Sequence, residues 1–363
     1  MKQISKRTRS RMLLEILRDP DRKSLARILY DNMDLLICYR EIPVHYFSRY
    51  LFKKGMNNIR DYVPNGIAMK IAPALNDASV KHVLDNKLYF GLYYGQFGIK
   101  MPEILLFNHR DHFVYRDRQL VIPDSGDFRK LIEDVFNDNP DCDGLFIKKT
   151  YSSSSGRNIY SLLRSDFESN DQLIRDIYSG VKDSAFIFQE KVKQHPDLKR
   201  LSPTSLNTIR FDSFIDDDGR IEVISGFLKM STNEAVVDSV VTGGCGVGID
   251  AATGTLKRNG YSKIKISGVG VLTEHPLSAI RFEGFPVPYY HEAREMAAKA
   301  ASFMPGLRLV GWDIGIGETG PVLIEGNSDY GINSNDMAYG GYMSNEIFRK
   351  VLSAALKRQK RRA

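Results

Sequence analysis

The sequence predicts an α+β protein of two lobes preceded by a helical region. Three observations predict it: an N-terminal stretch with apolar residues at helical spacing, β-rich runs closed by tight turns downstream, and helical stretches between those runs. The 363 residues allow a little over two domains at about 150 residues each, enough for a cleft between lobes. The expected divisions are residues 1–72 as a helical region, 73–192 as a front lobe, 193–345 as a second lobe, and 346–363 as a basic helix or tail.

In order, Leu13, Leu14 and Leu17, then Leu25, Ile28 and Leu29, then Leu35, Leu36 and Ile37 recur at three-and-four spacing, punctuated by Asp19-Pro20, as amphipathic helices do. A second amphipathic stretch runs from Ala78 to Phe97, is stopped by Gly98 and Pro102, and leads into a strand at Ile104 to Phe107. Gly144 to Lys148 reads as a strand, Tyr151 to Arg157 as a loop, Leu162 to Ile177 as mostly helix, and Ala185 to Val192 as a strand. Asn207 to Ile215 and Ile221 to Met230 form a hairpin through Asp216-Asp217-Asp218-Gly219, a turn by its chemistry. Tyr289 to Met304 is a helix and Arg308 to Asn327 a pair of strands.

Apolar residues at 42% and charged residues at 26% exclude disorder as the main state. No window holds the roughly 18 uninterrupted apolar residues of a membrane span, and no secretory signal is evident. The three cysteines, Cys38, Cys142 and Cys245, lack metal-ligand spacing, so buried thiols in a reducing, cytoplasmic setting are expected. Charge is uneven. Residues 1–27 carry nine Lys/Arg against three acids and residues 346–363 carry seven against one, so each end is +6 within a chain of +7. Stacking aromatics are not interleaved with either run, so nucleic acid is not an expected specific partner. Solvated tails are the plainer reading, with contact to an anionic membrane face or an acidic partner protein as the alternatives.

The most informative segment is Val310 to Asn327. If Glu318-Thr319-Gly320 is a three-residue hairpin loop with Gly320 left-handed, Asp313 faces Glu325, with Asn327 two residues on. Trp312, Ile314 and Ile316 then point the other way with Val322 and Ile324, whereas a two-residue loop would set Asp313 among Val322 and Ile324 and mix polar with apolar. Opposed carboxylates repel unless a cation sits between them, and hard oxygen donors at this density suit Mg²⁺; a solvated polar face is the plainer alternative. A second constellation, Lys148-Lys149-Thr150-Tyr151 followed by Ser152 to Ser155, Gly156 and Arg157, sets a strand-end lysine before small residues whose N–H groups can surround phosphate. It lacks the order of a Walker loop, and serine runs are also ordinary surface loops. Gly243 to Gly248 is a weak dinucleotide fingerprint with no helix after it. No GxSxG elbow or paired histidines occur, which leaves Cys245 as the one thiol to follow.

The order of these motifs resembles the ATP-grasp superfamily, most closely its sugar-transfer-associated branch, related to glutamate ligases, over about residues 76–345. Asp85-Asn86-Lys87 ahead of Gly98 to Pro102 is similar to the segment whose lysine reaches the nucleotide phosphates. Phe146-Ile147-Lys148 resembles the strand with the second phosphate lysine, although Lys149 stands where many members have proline. Ser153, Ser154, Ser155 and Gly156 resemble the flap over the phosphates. Gln189, Glu190 and Val192 lie in a segment similar to the adenine hinge, and Arg210 matches the arginine aimed at phosphates or substrate. Asp238 to Gly244 resembles the substrate-side glycine loop, with Ser239 replacing a common asparagine. Asp313, Glu325 and Asn327 match the metal-binding trio.

The resemblance implies an ATP-grasp fold and an ADP-forming carbon–nitrogen ligase using ATP and Mg²⁺, with Arg210 and Lys148 at the chemistry. A substrate carboxylate becomes an acyl phosphate and an amine displaces the phosphate. The branch points to an amino sugar or glycan precursor as acceptor, in surface-polysaccharide assembly, by analogy alone. A phosphotransferase, or a protein that binds nucleotide without turnover, would use the same nucleotide site.

Overall fold

The computed structural model describes residues 16–151, 159–233, 244–262, 270–329 and 331–362. Two antiparallel sheets organise them. The first has β1 (Ile104–His109), β2 (His112–Tyr115), β3 (Arg118–Val121), β4 (Gly144–Lys149), β5 (Ile159–Leu163) and β6 (Ala185–Glu190), in the order β3-β2-β1-β6-β4-β5. The second has β7 (Thr208–Ile215), β8 (Ile221–Met230), β9 (Cys245–Ile249), β10 (Leu256–Ser262), β11 (Val271–Leu272), β12 (Leu309–Gly317) and β13 (Gly320–Asn327), in the order β11-β10-β9-β8-β7-β12-β13. The α+β class is thus as expected.

Each sheet builds its own core. Helices Ser125–Asp138 and Asp171–Val181 lay Phe128, Val135, Ile174 and Ile177 over Leu145 and Phe188 of the first sheet. On the second, helix Tyr290–Ser302 offers a face of Ala293, Ala297 and Ala300, whose small side chains let it lie against Phe211, Trp312 and Ile314. The opposite face of that sheet is covered at one end by helices Asn65–Leu75 and Glu346–Arg362, through Leu75, Val351 and Ala354 against Phe214, Ile224 and Leu309. Leu309 and Asp313 share a face by strand alternation, so apolar packing at one end of this face gives way to charged groups at the other.

The N-terminal region docks through one buried cation. Arg49, with no exposed surface, places Nε 2.6 Å from Asp336 Oδ2 and donates from Nη1 to Asn65 Oδ1 (3.1 Å) and from Nη2 to Asn333 Oδ1 (2.7 Å). Asp336 also accepts from the backbone N–H groups of Val63 and Tyr342. Around this link Tyr46, Leu51 and Tyr62 pack with Met337.

Four local expectations change. The single helix expected over Ala78 to Phe97 is two, His82–Asp85 and Lys87–Gly95, because Asn86 is extended and its Oδ1 accepts from the N–H groups of Leu88 and Tyr89; an asparagine that caps cannot also continue a helix. Leu162 is not helical but lies in β5, opposite Leu145 and fully buried, since burial between paired strands overrides its helix propensity. Cys38 is exposed, whereas Cys142 and Cys245 are buried. The C-terminal residues are a docked helix, not a solvated tail: Lys350 pairs with Glu222 at 2.7 Å, and Arg358 Nη1 donates to the Leu75 carbonyl. No described helix is long and apolar enough to cross a membrane.

Candidate active site

The hairpin of β12 and β13 brings the three expected donors together, by a different route from the one the turn chemistry suggests. Gly317 pairs with Gly320, so the loop has two residues, Glu318 and Thr319, and Gly320 has a φ of +124° that favours glycine. Continued regularly, that register sets Asp313 opposite Ile324. The register shifts between Asp313 and Ile314, so Asp313 lies opposite Glu325 and Gly311 opposite Asn327. A bulge of this kind re-aims side chains. Leu323, rather than Val322 or Ile324, consequently joins Trp312, Ile314 and Ile316 in the core.

Gly326 lets two helices come close, and their Leu84 and Phe90 share the core of the second sheet. A Cβ there would lie 2.9 Å from the Trp312 ring, 3.1 Å from Leu84 and 3.2 Å from Phe90, so only glycine lets the helices containing Leu84 and Phe90 press onto β13. Lys87 opens the second of these helices. Its backbone N–H donates to the Thr150 carbonyl just beyond β4 (2.8 Å), and its Nζ lies 3.5 Å from Glu325 Oε2. One residue therefore joins its helix, the end of β4 and the hairpin. Lys148, near the end of β4 and 8% exposed, holds Nζ 5.0 Å from the Phe146 ring centroid.

Arg210 on β7 pairs across from Asp313 and grips it with a fork, Nε to Oδ1 at 2.5 Å and Nη2 to Oδ2 at 2.8 Å, while Lys229 Nζ lies 3.0 Å from Oδ2. Burial pushes the Asp313 pKa up, but Arg210 and Lys229 outweigh it and hold the carboxyl well below the usual range. Burial likewise works against the Arg210 charge, and Asp313 more than restores it. Oriented to satisfy both neighbours, the Asn327 amide donates to Glu325 Oε1 (3.0 Å) and accepts from Arg210 Nη2 (3.3 Å). The protein's own cations thus answer both opposed carboxylates, Arg210 and Lys229 at Asp313 and Lys87 at Glu325.

Lys229 was not among the residues the motifs singled out. Its signal was a lone charge near the end of the apolar run Gly226-Phe227-Leu228-Lys229-Met230, since a charge in a buried strand calls for a partner. In the segment expected to form the hinge, Gln189 turns its amide to the Pro102 carbonyl, the Glu190 N–H donates to the Glu103 carbonyl, and the Lys191 N–H donates to the Gly144 carbonyl. Val192 follows these sheet-bonded positions. Ser153, Ser154, Ser155, Gly156 and Asp238 to Gly243 lie outside the described residues. Cys245 is buried on β9 and its thiol is pushed up to about 12 by that burial, which makes it inert as a nucleophile.

Two carboxylates and an amide oxygen fit part of a Mg²⁺ shell, the rest of which substrate phosphates ordinarily supply. Among the described residues no three His, Cys, Asp or Glu converge on one point, so the protein alone offers no complete cage. Glu325, with 31% of its side chain exposed against 8% for Asp313, is the more accessible donor.

Residues 67–351 match the family described as sugar-transfer associated ATP-grasp. The chain belongs to that family. It is therefore an ATP-grasp enzyme with the fold the motif order implied. No curated protein matches it by sequence. Among solved structures, this ATP-grasp chain is similar to D-cycloserine synthetase DcsG (12% identity, 78% of this chain and 73% of that one, TM-score 0.45). It is also similar to D-alanine–D-alanine ligase from Bacillus anthracis (11%, 91% and 86%, 0.43) and to D-alanyl-alanine synthetase A from Vibrio cholerae (11%, 76% and 65%, 0.44). These likenesses are distant, and membership rests on the family match.

Proposed function

We propose that this ATP-grasp enzyme joins a carboxylate to an amine through an acyl phosphate, with a sugar-linked amine or glycan precursor as acceptor. The observation that carries the reading is the meeting of Asp313, Glu325 and Asn327 with Lys87 and Arg210, drawn from three parts of the chain onto one sheet face.

In this reading Lys87 and Lys148 bind the ATP phosphates from two sides and neutralise charge on the transferring group. Bound by Glu325, Asn327 and Asp313, Mg²⁺ would add positive charge at the phosphate oxygens. Arg210, fixed by its fork to Asp313, orients the substrate carboxylate. A carboxylate oxygen forms a bond to the γ-phosphorus as the bond from that phosphorus to the β–γ bridging oxygen breaks, releasing ADP. The amine nitrogen then bonds to the acyl carbon, phosphate leaves with its oxygen, and the amine proton passes to solvent.

Amino acids and amino sugars supplied in pairs should reveal which combination stimulates ADP release, with the product read by mass spectrometry. Hydroxylamine supplied in place of the amine should yield a hydroxamate of the carboxylate substrate. ADP release with a phosphorylated hydroxyl product, and no hydroxamate, would instead make the enzyme a phosphotransferase.

A further inference from the structure

The helix Leu25–Tyr39 carries its polar anchor inward and its apolar residues outward. Asp31 and Leu35 face the protein with no exposed surface, and Asp31 is held by Lys23 and Arg27, each at 2.7 Å. The outward side bears Leu25, Leu29, Tyr30, Met33, Leu36 and Ile37, between 39% and 73% exposed. At about 100° per residue these six fill an arc of roughly 140°. Ile42, 78% exposed, continues the surface beyond the helix. Single exposed leucines are ordinary, but a contiguous stripe on one helix marks an interaction surface.

Charge decides what that surface meets. Residues 1–64 carry fourteen Lys/Arg against seven acids, a net +7 that equals the formal charge of the whole chain. The acids near the stripe are answered: Asp34 pairs with Arg60 and Asp19 with Lys53. Exposed Arg18 and Arg40 flank the helix. A symmetric contact between two copies would bring two such segments together and leave like charges opposed. An anionic lipid surface accepts the apolar stripe and the positive charge at once, and stable peripheral binding takes two such signals. The geometry points to this helix as a membrane-surface element, lying in the plane of an anionic leaflet with its stripe at the headgroup boundary and the basic residues among lipid phosphates. The inference is independent of the reaction proposed above.

The test is co-sedimentation of the full chain with phosphatidylglycerol-rich vesicles and with pure phosphatidylcholine vesicles. Wild-type protein should bind the anionic vesicles, bind neutral ones far more weakly, and lose affinity as salt rises from about 0.1 M to about 1 M. Leu29→Glu/Ile37→Glu, at exposed positions, should weaken vesicle binding at least about tenfold, while thermal stability and ADP release stay at the wild-type level. Equal binding by wild type and double variant overturns the proposal, as does equal wild-type binding to neutral and anionic vesicles, or no wild-type binding at all. A wild-type dimer that the double variant breaks into monomers, without vesicles, would assign the stripe to a second copy and overturn it too.

Discussion

Asp313 and Glu325 face each other across one ladder rung, yet their surroundings assign them different work. Asp313 is buried beneath Arg210 and Lys229, and its replacement by Asn removes the carboxylate charge that these two largely buried cations share. The expected cost is about 3–5 kcal/mol, read by urea unfolding. The pH dependence follows from the depressed carboxyl pKa. A depressed folded value stabilises fully above the ordinary Asp value of about 4 and is lost only as pH falls through the lower folded value. The difference between wild type and Asp313→Asn should therefore stay constant from about pH 7 to about pH 4 and narrow only below that. Glu325 is more exposed and pairs with Lys87 at 3.5 Å. Glu325→Ala should abolish ADP formation while moving the unfolding midpoint little; near wild-type turnover at ordinary Mg²⁺ would refute its assignment as a metal donor.

At the scale of elements, the site depends on two local departures from regularity. The bulge in β13 returns Glu325 to Asp313 after a two-residue loop has shifted the register, and the Asn86 cap starts a new helix so that Lys87 stands at its first turn. That placement ties the Lys87 backbone to Thr150, two residues after Lys148. Lys87→Met and Lys148→Met should each leave nucleotide-free thermal stability near wild type, because neither ammonium belongs to an apolar core. Both should lower the stabilisation that saturating ATP confers, since a ligand stabilises in proportion to its affinity for the folded state. ATP-induced shifts equal to wild type in both variants would reject the pairing of these lysines on the phosphates.

Across the whole molecule, the N-terminal region and the second sheet are locked by Arg49 and Asp336, residues far apart in sequence. Arg49→Met removes the fork that reaches Asp336, Asn65 and Asn333 and strands a buried carboxylate, at an expected cost of about 3–5 kcal/mol. Loss of cooperativity in urea, with the N-terminal region cleaved first by protease, would show that the link joins two units. Deleting residues 357–363 should leave hydroxamate formation unchanged. Arg358 donates to the Leu75 carbonyl and Gln359 to the Lys70 carbonyl, at the end of the sheet face where Leu75 and Leu309 pack, away from Asp313. A folded deletion variant unable to form hydroxamate would place the C-terminal helix in the catalytic machinery.

The sequence by itself determined the α+β class, the hairpin that unites Asp313 with Glu325, and the family through motif order, because alternation, turn residues and short motifs are local properties of the chain. Turn chemistry suggested the right pairing through the wrong loop: local rules predict a ladder's start but not a bulge, which is selected by how Leu323 fits beside Ile314 in the core. The same limit hid the split at Asn86, the strand at Leu162, and Lys229, whose role exists only because β8 lies beside β7. Tertiary structure alone decided which cations answer Asp313, since Arg210 and Lys229 reach it from other strands. It also decided that the outward side of helix Leu25–Tyr39 is the apolar one. Helical periodicity locates a stripe, but only packing around a buried Asp31 determines which stripe faces in.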